Sequence, residues 1–386
     1  MRLVLCVCLF LAPFAGCVEG GRPEASPPSV VERDSSGVRI VENFAPVHAP
    51  GAWSVGSVTP LCSARDDDRI GQVSAIVPLD GDTVAVMSGQ GQRLLICVGG
   101  RVVASHGGEG EGPGEYRFVR GLYRVSRDTV ALVENERVTY LDLRTRGVRT
   151  LAPPAAHPDA TRFLGSPFKI VASRRSPGAG EGPSTGAPRR YDLFDAANGS
   201  VDSPDFEEVA WSDALPGSGP EIALWAPGLT WALSESSFWF VERNETDLQV
   251  RTIEGVRRIV RAEIHAPSIS ESVWSEARSR LRAGLSDQGL PEAVLTSMLE
   301  IPEDRLVYPI RQMEPDPEGR LWVRLAQEDP MREPAPWRVF DARGRWVTDV
   351  HVPRDVQVRF ISNERIYGVQ LDELDLQTVV VLPIRR

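Results

Sequence analysis

The sequence contains a single lysine, Lys169, although lysine and arginine together number 43. Almost all positive charge is therefore carried by arginine, which we attribute first to codon bias and only second to the recognition of planar anions. The 53 acidic residues give a net charge of −10. This mild acidic excess argues against a surface that binds nucleic acid or another polyanion, and it favours simple solubility.

Cysteine is also scarce, with five residues, of which three lie at or before position 17. Cys62 and Cys97 are then the only thiols of the folded part of the chain. An oxidising compartment permits a disulfide between them, but the sequence alone does not show that their Cα atoms lie within the required distance of roughly 7 Å. The alternative is that both are small, buried apolar residues.

The apolar run from Leu3 to Ala15 follows one positive charge, Arg2, and ends at small residues before Cys17. The run is too short to cross a bilayer as a helix, and its parts are those of a secretory signal. We therefore predict that residues 1–16 form a signal peptide and that the protein is exported.

The end of this run, Phe14-Ala15-Gly16-Cys17, resembles a bacterial lipobox in which Phe14 replaces the usual Leu, Val or Ile. The resemblance implies that Cys17 is lipidated and begins the mature protein; the alternative is an ordinary signal peptide with a cysteine nearby. Residues 17–37 are expected to form the lipidated cysteine and a flexible tether rich in Gly, Pro, Glu and Ser. Val18 replaces the aspartate that resembles a retention signal, so we expect an outer-membrane lipoprotein facing the periplasm.

The remaining sequence, residues 38–386, consists of short apolar or alternating runs separated by Gly, Asp-Gly, Asn and Pro, which is an all-β pattern. The run Asp82–Val86 recurs 46 residues later as Asp128–Leu132, and strand-like runs follow each copy. A period near 45 with about four strands per unit is typical of propeller blades. We predict a six-bladed β-propeller with units at 72–105, 118–151, 163–209, 222–264, 308–352 and 356–382.

Two features modify this regular pattern. The sixth unit has three strands, so a segment within Val38–Val58 is expected to supply its outer strand and close the ring. Residues 268–301 carry apolar side chains at helical spacing and predict a short helical insertion between blades four and five. Such an insertion can gate a site; a purely packing role is the alternative.

The glycine-rich segment Gly107–Tyr116, followed by a strand and by Asp128–Val133, resembles an NHL-type repeat. The segments 32–43, 316–323 and 339–346 look like those of exported bacterial six-bladed β-propeller proteins. The resemblance covers nearly the whole mature chain and implies the fold, but it implies no established activity. The glycine-rich segment lacks the lysine-serine ending of a phosphate loop and is acidic, so its glycines are better explained by a tight crossing between blades.

Residues at the start of innermost strands are expected to face the central channel and are the candidate ligand-binding residues. By the predicted strands these include Gln72, Arg117, Arg162, Glu221, Tyr308, Arg311 and Arg359. A ring of arginines with a tyrosine is suited to a carboxylate or an acidic glycan. The alternative is a hydrated channel in which arginines pair with Glu221.

No metal or cofactor site is predicted. Four histidines fall at or just before connections between blades: His106, His157, His265 and His351. Three of the four are expected at the ends of outermost strands, at the rim and too far apart to meet on one metal ion. No Ser-His-Asp arrangement marks a nucleophile. The sequence therefore favours a non-enzymatic propeller lipoprotein of the bacterial envelope that binds a small molecule, a glycan or a protein, and that touches the membrane only through its lipid.

Two other functions remain open from the sequence. One is a metal-dependent hydrolase of the lactonase type, which needs Glu, Asn and Asp from different blades around one calcium ion. The other is a structural subunit of an envelope complex. A fold of this kind does not by itself choose among the three functions.

Overall fold

The computed structural model describes residues 28–119, 121–134, 137–151, 161–164, 169–175, 188–195, 201–202, 207–209, 231–233, 238–241, 246–252, 255–287, 308–330 and 332–386. These residues form 28 strands and one helix, arranged in six sheets. The sheets fall within or next to the predicted units, and the fold is a β-propeller.

Four strands precede the first predicted unit. They are β1 (Val30–Ser35), β2 (Val38–Asn43), β3 (Ser54–Val55) and β4 (Thr59–Ser63). We call residues 28–63 the belt, because they run along three different sheets before the first blade begins. β1 lies inside the range 17–37 that was expected to form a tether, because Val30 and Val31 provide an apolar start to a strand.

The first three sheets follow the first three predicted units and contain antiparallel strands in chain order outward from the axis. The first sheet contains β5 (Val73–Pro78), β6 (Val84–Ser88), β7 (Arg93–Val98) and β8 (Arg101–His106). The second sheet contains β9 (Gly121–Arg124), β10 (Thr129–Val133), β11 (Val138–Asp142) and β12 (Val148–Leu151). The third sheet contains β13 (Thr161–Leu164), β14 (Lys169–Arg175), β15 (Pro188–Asp195), β16 (Val201–Asp202) and β17 (Glu207–Val209). Both β16 and β17 pair with β15.

The remaining strands form the fourth, fifth and sixth sheets. The fourth sheet contains β18 (Trp231–Leu233), β19 (Phe238–Val241), β20 (Leu248–Thr252) and β21 (Gly255–Ala262). The fifth sheet contains β22 (Ile310–Pro315), β23 (Leu321–Leu325), β24 (Ala335–Phe340) and β25 (Trp346–Val352). The sixth sheet contains β26 (Val356–Ile361), β27 (Arg365–Leu371) and β28 (Gln377–Arg385). Between the fourth and fifth sheets lies α1 (Glu271–Asp287), within the predicted insertion. The second half of that insertion, 288–301, lies outside the described residues.

The belt extends the fourth sheet and closes the sixth. β2 pairs in parallel with β21, and β1 pairs with β2, so the fourth sheet has six strands. β4 pairs with β28 as the outer strand of the sixth sheet, and β3 pairs with the end of β28. The closing strand is therefore mainly β4, just beyond the predicted Val38–Val58, because β4 leads directly into the first blade.

The core is divided among apolar clusters that lie between neighbouring sheets. These clusters join the fourth and fifth sheets through Trp239 and Phe340, the fifth and sixth through Trp337 and Leu382, the sixth and first through Val379 and Leu95, and the first and second through Leu94 and Leu132. The cluster between the sixth and first sheets packs the last sheet of the chain directly against the first.

A disulfide bond joins Cys62 to Cys97 at this closing junction, with Cα atoms 6.2 Å apart. Cys62 belongs to β4 of the sixth sheet and Cys97 to β7 of the first sheet. Both side chains are buried in the apolar cluster between the two sheets. The covalent bond therefore connects the last blade to the first.

In the part of the chain that the structure describes, no helix combines the length and the apolar composition needed to span a membrane.

Candidate functional site

The innermost strands β22 and β26 of the fifth and sixth sheets lie side by side along the central channel. Gln312 of β22 donates a hydrogen bond of 3.3 Å from Nε2 to the carbonyl oxygen of Val358 in β26. This contact brings the polar side chains of two blades together and defines the candidate site.

Both strands carry a β-bulge, and an arginine occupies each bulge. The register of β22 shifts between Ile310 and Gln312, so Arg311 is the extra residue. The register of β26 shifts between Val358 and Phe360, so Arg359 is the extra residue. A bulge changes the direction in which the side chain of its extra residue points. Arg311 and Arg359 occupy corresponding bulges on neighbouring blades. In β5 of the first sheet the same kind of bulge carries Ser74.

Glu314 is the carboxyl group of this site. Its Oε1 accepts a hydrogen bond of 2.7 Å from Nε2 of Gln312, which lies two residues earlier on the same strand. Burial raises the pKa of Glu314 to about 7, although the hydrogen bond from Gln312 and the charge of Arg359 act in the opposite direction. Glu314 therefore changes its charge near neutral pH.

The guanidinium groups give the site an excess of positive charge. Burial lowers the pKa of Arg311 to about 9, and the charge of Arg324 on β23 lowers it further. Burial also lowers the pKa of Arg324 and of Arg359, and for Arg359 the charge of Glu314 acts against this. An arginine with a pKa of about 9 still carries its charge at neutral pH, so three cations lie in this wall with Glu314 as their acidic neighbour.

Two donors of these guanidinium groups have no hydrogen-bond partner among the described residues. Arg359 donates 3.0 Å from Nη2 to Oε1 of Gln357, but its Nε is buried without a hydrogen-bond partner among the described residues. The Nε of Arg324 is also buried without a hydrogen-bond partner within the described ranges. Buried donors that lack an acceptor cost stability.

Of the other predicted site residues, Arg117 lies apart from this group. Arg117 precedes β9, is exposed, and forms an ion pair of 2.6 Å with Glu111. Tyr308 is buried just before β22 of the fifth sheet. Gln72 lies just before β5 of the first sheet, where its carbonyl oxygen accepts a hydrogen bond from the amide of Gly89. Arg162 lies on innermost strand β13, but its side chain is outside the described residues, as are Glu221 and Cys17.

Three polar residues of the site were missed in the sequence: Gln312, Glu314 and Arg324. Gln312 and Glu314 alternate on β22 around the buried Met313, a pattern that marks the polar face of a strand. Arg324 ends the apolar run Leu321–Val323 of the second strand, where an arginine is easily taken for a solvent-exposed residue. Only the packing of the fifth sheet brings it next to Arg311.

The glycine-rich segment before β9 is explained by packing rather than by ligand binding. Gly107 has a φ of +79°, and a Cβ atom there would lie 2.1 Å from the ring of Tyr116. Arg137 holds the segment by donating 3.1 Å and 2.6 Å hydrogen bonds to the carbonyl oxygens of Glu111 and Glu115. Its glycines therefore allow the chain to turn tightly where it passes from the first sheet to the second.

Across the described ranges, no group of three or more His, Cys, Asp or Glu side chains is placed to hold a metal ion. His106 ends β8, and burial and the charge of Arg146 lower its pKa. His265 is exposed beside Glu263 at 3.1 Å, and His351 is exposed on β25. His157 lies outside the described residues.

The chain matches no model of a known protein family and no curated protein sequence. Its fold is similar to that of a Bacteroides fragilis protein described as exported, with 11% identity, a TM-score of 0.50, and coverage of 90% of this chain and 99% of that one. It is also similar to a catalytically inactive virginiamycin B lyase from Staphylococcus aureus, with 12% identity, coverage of 86% and 99%, and a TM-score of 0.42. A further similar structure is the calcium-binding protein regucalcin from Agrobacterium tumefaciens, with 12% identity, coverage of 86% and 95%, and a TM-score of 0.41. At these identities the likeness concerns the fold alone, and it assigns no activity to the chain.

Proposed function

We propose that this protein is a non-enzymatic binding protein that holds a carboxylate-bearing small molecule or an acidic glycan in its central channel. The observation that carries the proposal is the pair of bulged arginines, Arg311 and Arg359, on the neighbouring strands β22 and β26. Guanidinium groups recognise carboxylates through paired, charge-assisted hydrogen bonds. Channels of this kind, lined by a few convergent polar groups, are common ligand sites.

The balance of charge supports an anionic ligand. The charge of Arg324 lowers the pKa of Arg311, and Glu314, the carboxyl beside Arg359, carries only part of a negative charge at pH 7 because burial raises its pKa to about 7. Bringing cations into a buried site without compensation is unfavourable, and a bound anion removes this cost. Ligand binding should therefore raise the thermal stability of the protein.

The proposal places the protein outside the cytoplasm, in the bacterial envelope. The signal-like residues 1–16 and the lipobox-like ending at Cys17 support export and lipidation, and Val18 supports the outer membrane facing the periplasm. A structurally similar protein from Bacteroides fragilis is described as exported, which agrees with this location. The proposed protein needs no cofactor and binds no nucleic acid.

The proposal is tested with the uronic acids glucuronate and galacturonate as probes, and with glucose and galactose as their neutral counterparts. We expect the uronates to bind and the neutral sugars not to, by isothermal titration calorimetry. Arg311→Ala and Arg359→Ala should each weaken uronate binding about tenfold, as expected for the loss of a charge-assisted hydrogen bond.

Arg117→Ala is the matched control, because Arg117 is an exposed arginine outside the innermost strands. It should leave uronate affinity unchanged. Equal weakening by Arg117→Ala, or binding of uronates and neutral sugars with the same affinity, would contradict the proposed site.

The same samples separate the alternative functions. A lactonase-type hydrolase predicts about one calcium ion per chain by elemental analysis and a lower melting temperature in the presence of a chelator. A structural subunit predicts a stoichiometric protein partner that co-purifies from envelopes. Either result, together with a failure to bind uronates, would replace the proposed function.

A further inference from the structure

The belt contains an exposed run of four consecutive apolar residues, Phe44-Ala45-Pro46-Val47. The side chain of Phe44 is 62% exposed, and that of Val47 is 47% exposed. Runs of this kind are avoided on the surface of soluble domains unless they serve a contact. We call Phe44–Val47 the apolar segment.

The apolar segment is held in place by backbone hydrogen bonds at both ends. The amides of Phe44 and Ala45 donate to the carbonyl oxygen of Ser29 at 2.9 Å and 3.3 Å. The amides of Val47 and His48 donate to the carbonyl oxygens of Trp346 and Val347 on β25 at 2.8 Å and 3.0 Å. The exposed side chains therefore sit on a fixed part of the propeller rim, between the outer strands of the fourth and fifth sheets.

The described chain begins next to this segment. Ser29, which bonds to Phe44, is one residue after Pro28, and Cys17 lies eleven residues before Pro28. Eleven residues span at most about 40 Å when fully extended. A lipid on Cys17 would therefore keep Pro28, beside the rim at Phe44, within about 40 Å of the membrane surface.

The charges around the apolar segment do not oppose an approach to lipid headgroups. Arg33 pairs with Glu42 at 3.1 Å, and Arg39 lies 3.7 Å from Glu32. Arg343, on the hairpin beside the segment, is exposed. This rim combines balanced ion pairs with an exposed cation, and anionic headgroups attract such cations.

We propose that the apolar segment rests on the lipid bilayer that holds the anchored chain, with Phe44 and Val47 in the headgroup region. The inference rests on the lipidation of Cys17 in the proposed function, and it extends the membrane contact beyond the lipid itself. The rim then faces the bilayer, the channel axis lies parallel to the membrane, and both mouths of the channel open to the surrounding solution.

A bilayer fits this surface better than a protein partner does. A specific protein interface buries roughly 1,000 Å² or more, which two side chains cannot supply. A membrane needs no such area, because each apolar group adds to the affinity that the acyl chains already provide. A weak contact at the rim is therefore sufficient to set the orientation of an anchored chain.

The experiment uses the full-length lipidated chain in vesicles of phosphatidylethanolamine and phosphatidylglycerol. A spin label is attached at Val47→Cys or, as the matched control, at Leu374→Cys, an apolar residue that is 70% exposed in the turn between β27 and β28. Oxygen concentrates in lipid and a nickel chelate stays in water, so their collision rates report immersion. We expect the ratio of oxygen to nickel collisions to be about threefold higher at position 47 than at position 374, as for a side chain in the interface.

A second reporter separates orientation from the hydrophobicity of the label. A label at the exposed His48→Cys should also show immersion, and Phe44→Ser combined with Val47→Ser should bring its ratio down to that of position 374. Equal ratios at positions 47 and 374, or no effect of the double substitution, would overturn the proposal.

Vesicle flotation and uronate titration of the same samples separate the possible failures. A chain that does not float with the vesicles lacks the anchor, which also overturns the proposed membrane contact. A chain that floats and shows equal ratios has the anchor but a different orientation. Uronate binding is independent of both results and continues to test the channel site.

Discussion

Asn43 of the belt joins the fourth and fifth sheets through the backbone of Trp346. Its Oδ1 accepts a hydrogen bond of 2.8 Å from the amide of Trp346, and its Nδ2 donates to the carbonyl oxygens of Arg261 at 3.0 Å and Gly344 at 3.1 Å. Only 4% of Asn43 is exposed. One amide side chain thus satisfies backbone groups of two blades at the point where β2 ends.

The first prediction concerns this contact. Asn43→Ala should lower the free energy of unfolding by about 2–3 kcal/mol, because buried backbone groups lose their partners. Ser35→Ala, on the exposed edge strand β1, is the control and should have almost no effect. The measurement is urea denaturation of the detergent-solubilised protein. A loss below about 0.5 kcal/mol, the usual range of surface substitutions, would show that water replaces the three bonds.

The second prediction concerns the disulfide at the closing junction. Replacing both cysteines, Cys62→Ala with Cys97→Ala, should lower the free energy of unfolding by about 3 kcal/mol, since the disulfide restricts the unfolded chain. The two cysteines are 35 residues apart in the sequence. A reducing agent should lower the melting temperature of the wild type and leave the double variant unchanged. An equal response of both proteins to the reducing agent would show that the bond does not form.

The third prediction tests the belt as a structural part of the ring. The ring of Trp53 lies 6.1 Å from that of Trp322, with the guanidinium groups of Arg320 and Arg386 at 5.3 Å and 4.6 Å. Trp53→Ala should cost about 3 kcal/mol or more, because it removes a large buried aromatic side chain. Phe44→Ala, an exposed aromatic in the same belt, is the control and should cost little in the absence of membranes. Similar melting temperatures for the two variants would show that the belt contributes little to the stability of the propeller.

The fourth prediction concerns the pH dependence of stability that Glu314 introduces. Its pKa in the folded protein is about 7, above the ordinary value of 4.5, because burial disfavours the charged form. The folded protein therefore holds this proton more tightly than the unfolded chain does. Its contribution to stability is complete below about pH 4.5 and is lost as the pH rises to about 7.

Glu314→Gln should remove this dependence. From pH 4.5 to pH 7 the free energy of unfolding of the wild type should fall relative to that of the variant. Above pH 8 the difference between the two should change little. The exposed Glu373→Gln is the control and should show no such shift. A difference that stays constant from pH 4.5 to pH 8 would mean that Glu314 ionises normally.

The strands were largely predictable from local sequence. The run at Asp82 became β6 and the run at Asp128 became β10, because short continuous apolar runs bounded by turn residues are typical of buried strands. The joining of distant segments was not predictable in the same way. The apolar side chains of Val38–Asn43 indicate a strand with one buried face, but they do not indicate that this strand pairs with β21, more than 200 residues later.

The candidate site was predictable in part. Arg311 and Arg359 were found because they occur near the start of innermost strands. Glu314 was missed because the property that makes it distinctive, a pKa raised by burial, depends on the surrounding blades and not on its local sequence. Arg117 occurs at a similar place in the repeat, yet it lies at the surface beside Glu111, because the long glycine-rich connection takes it out of the innermost strand.

The sequence by itself determined the repeat, the strand content and the need for an additional strand in the sixth sheet, since these follow from periodicity along the chain. The tertiary structure decided how the belt runs along the fourth, fifth and sixth sheets, which sheets Cys62 and Cys97 connect, and which charges meet in the channel. The physical reason is that strand pairing, disulfide formation and pKa shifts depend on distances between atoms. Those distances are set by the closure of the ring, which no local segment encodes.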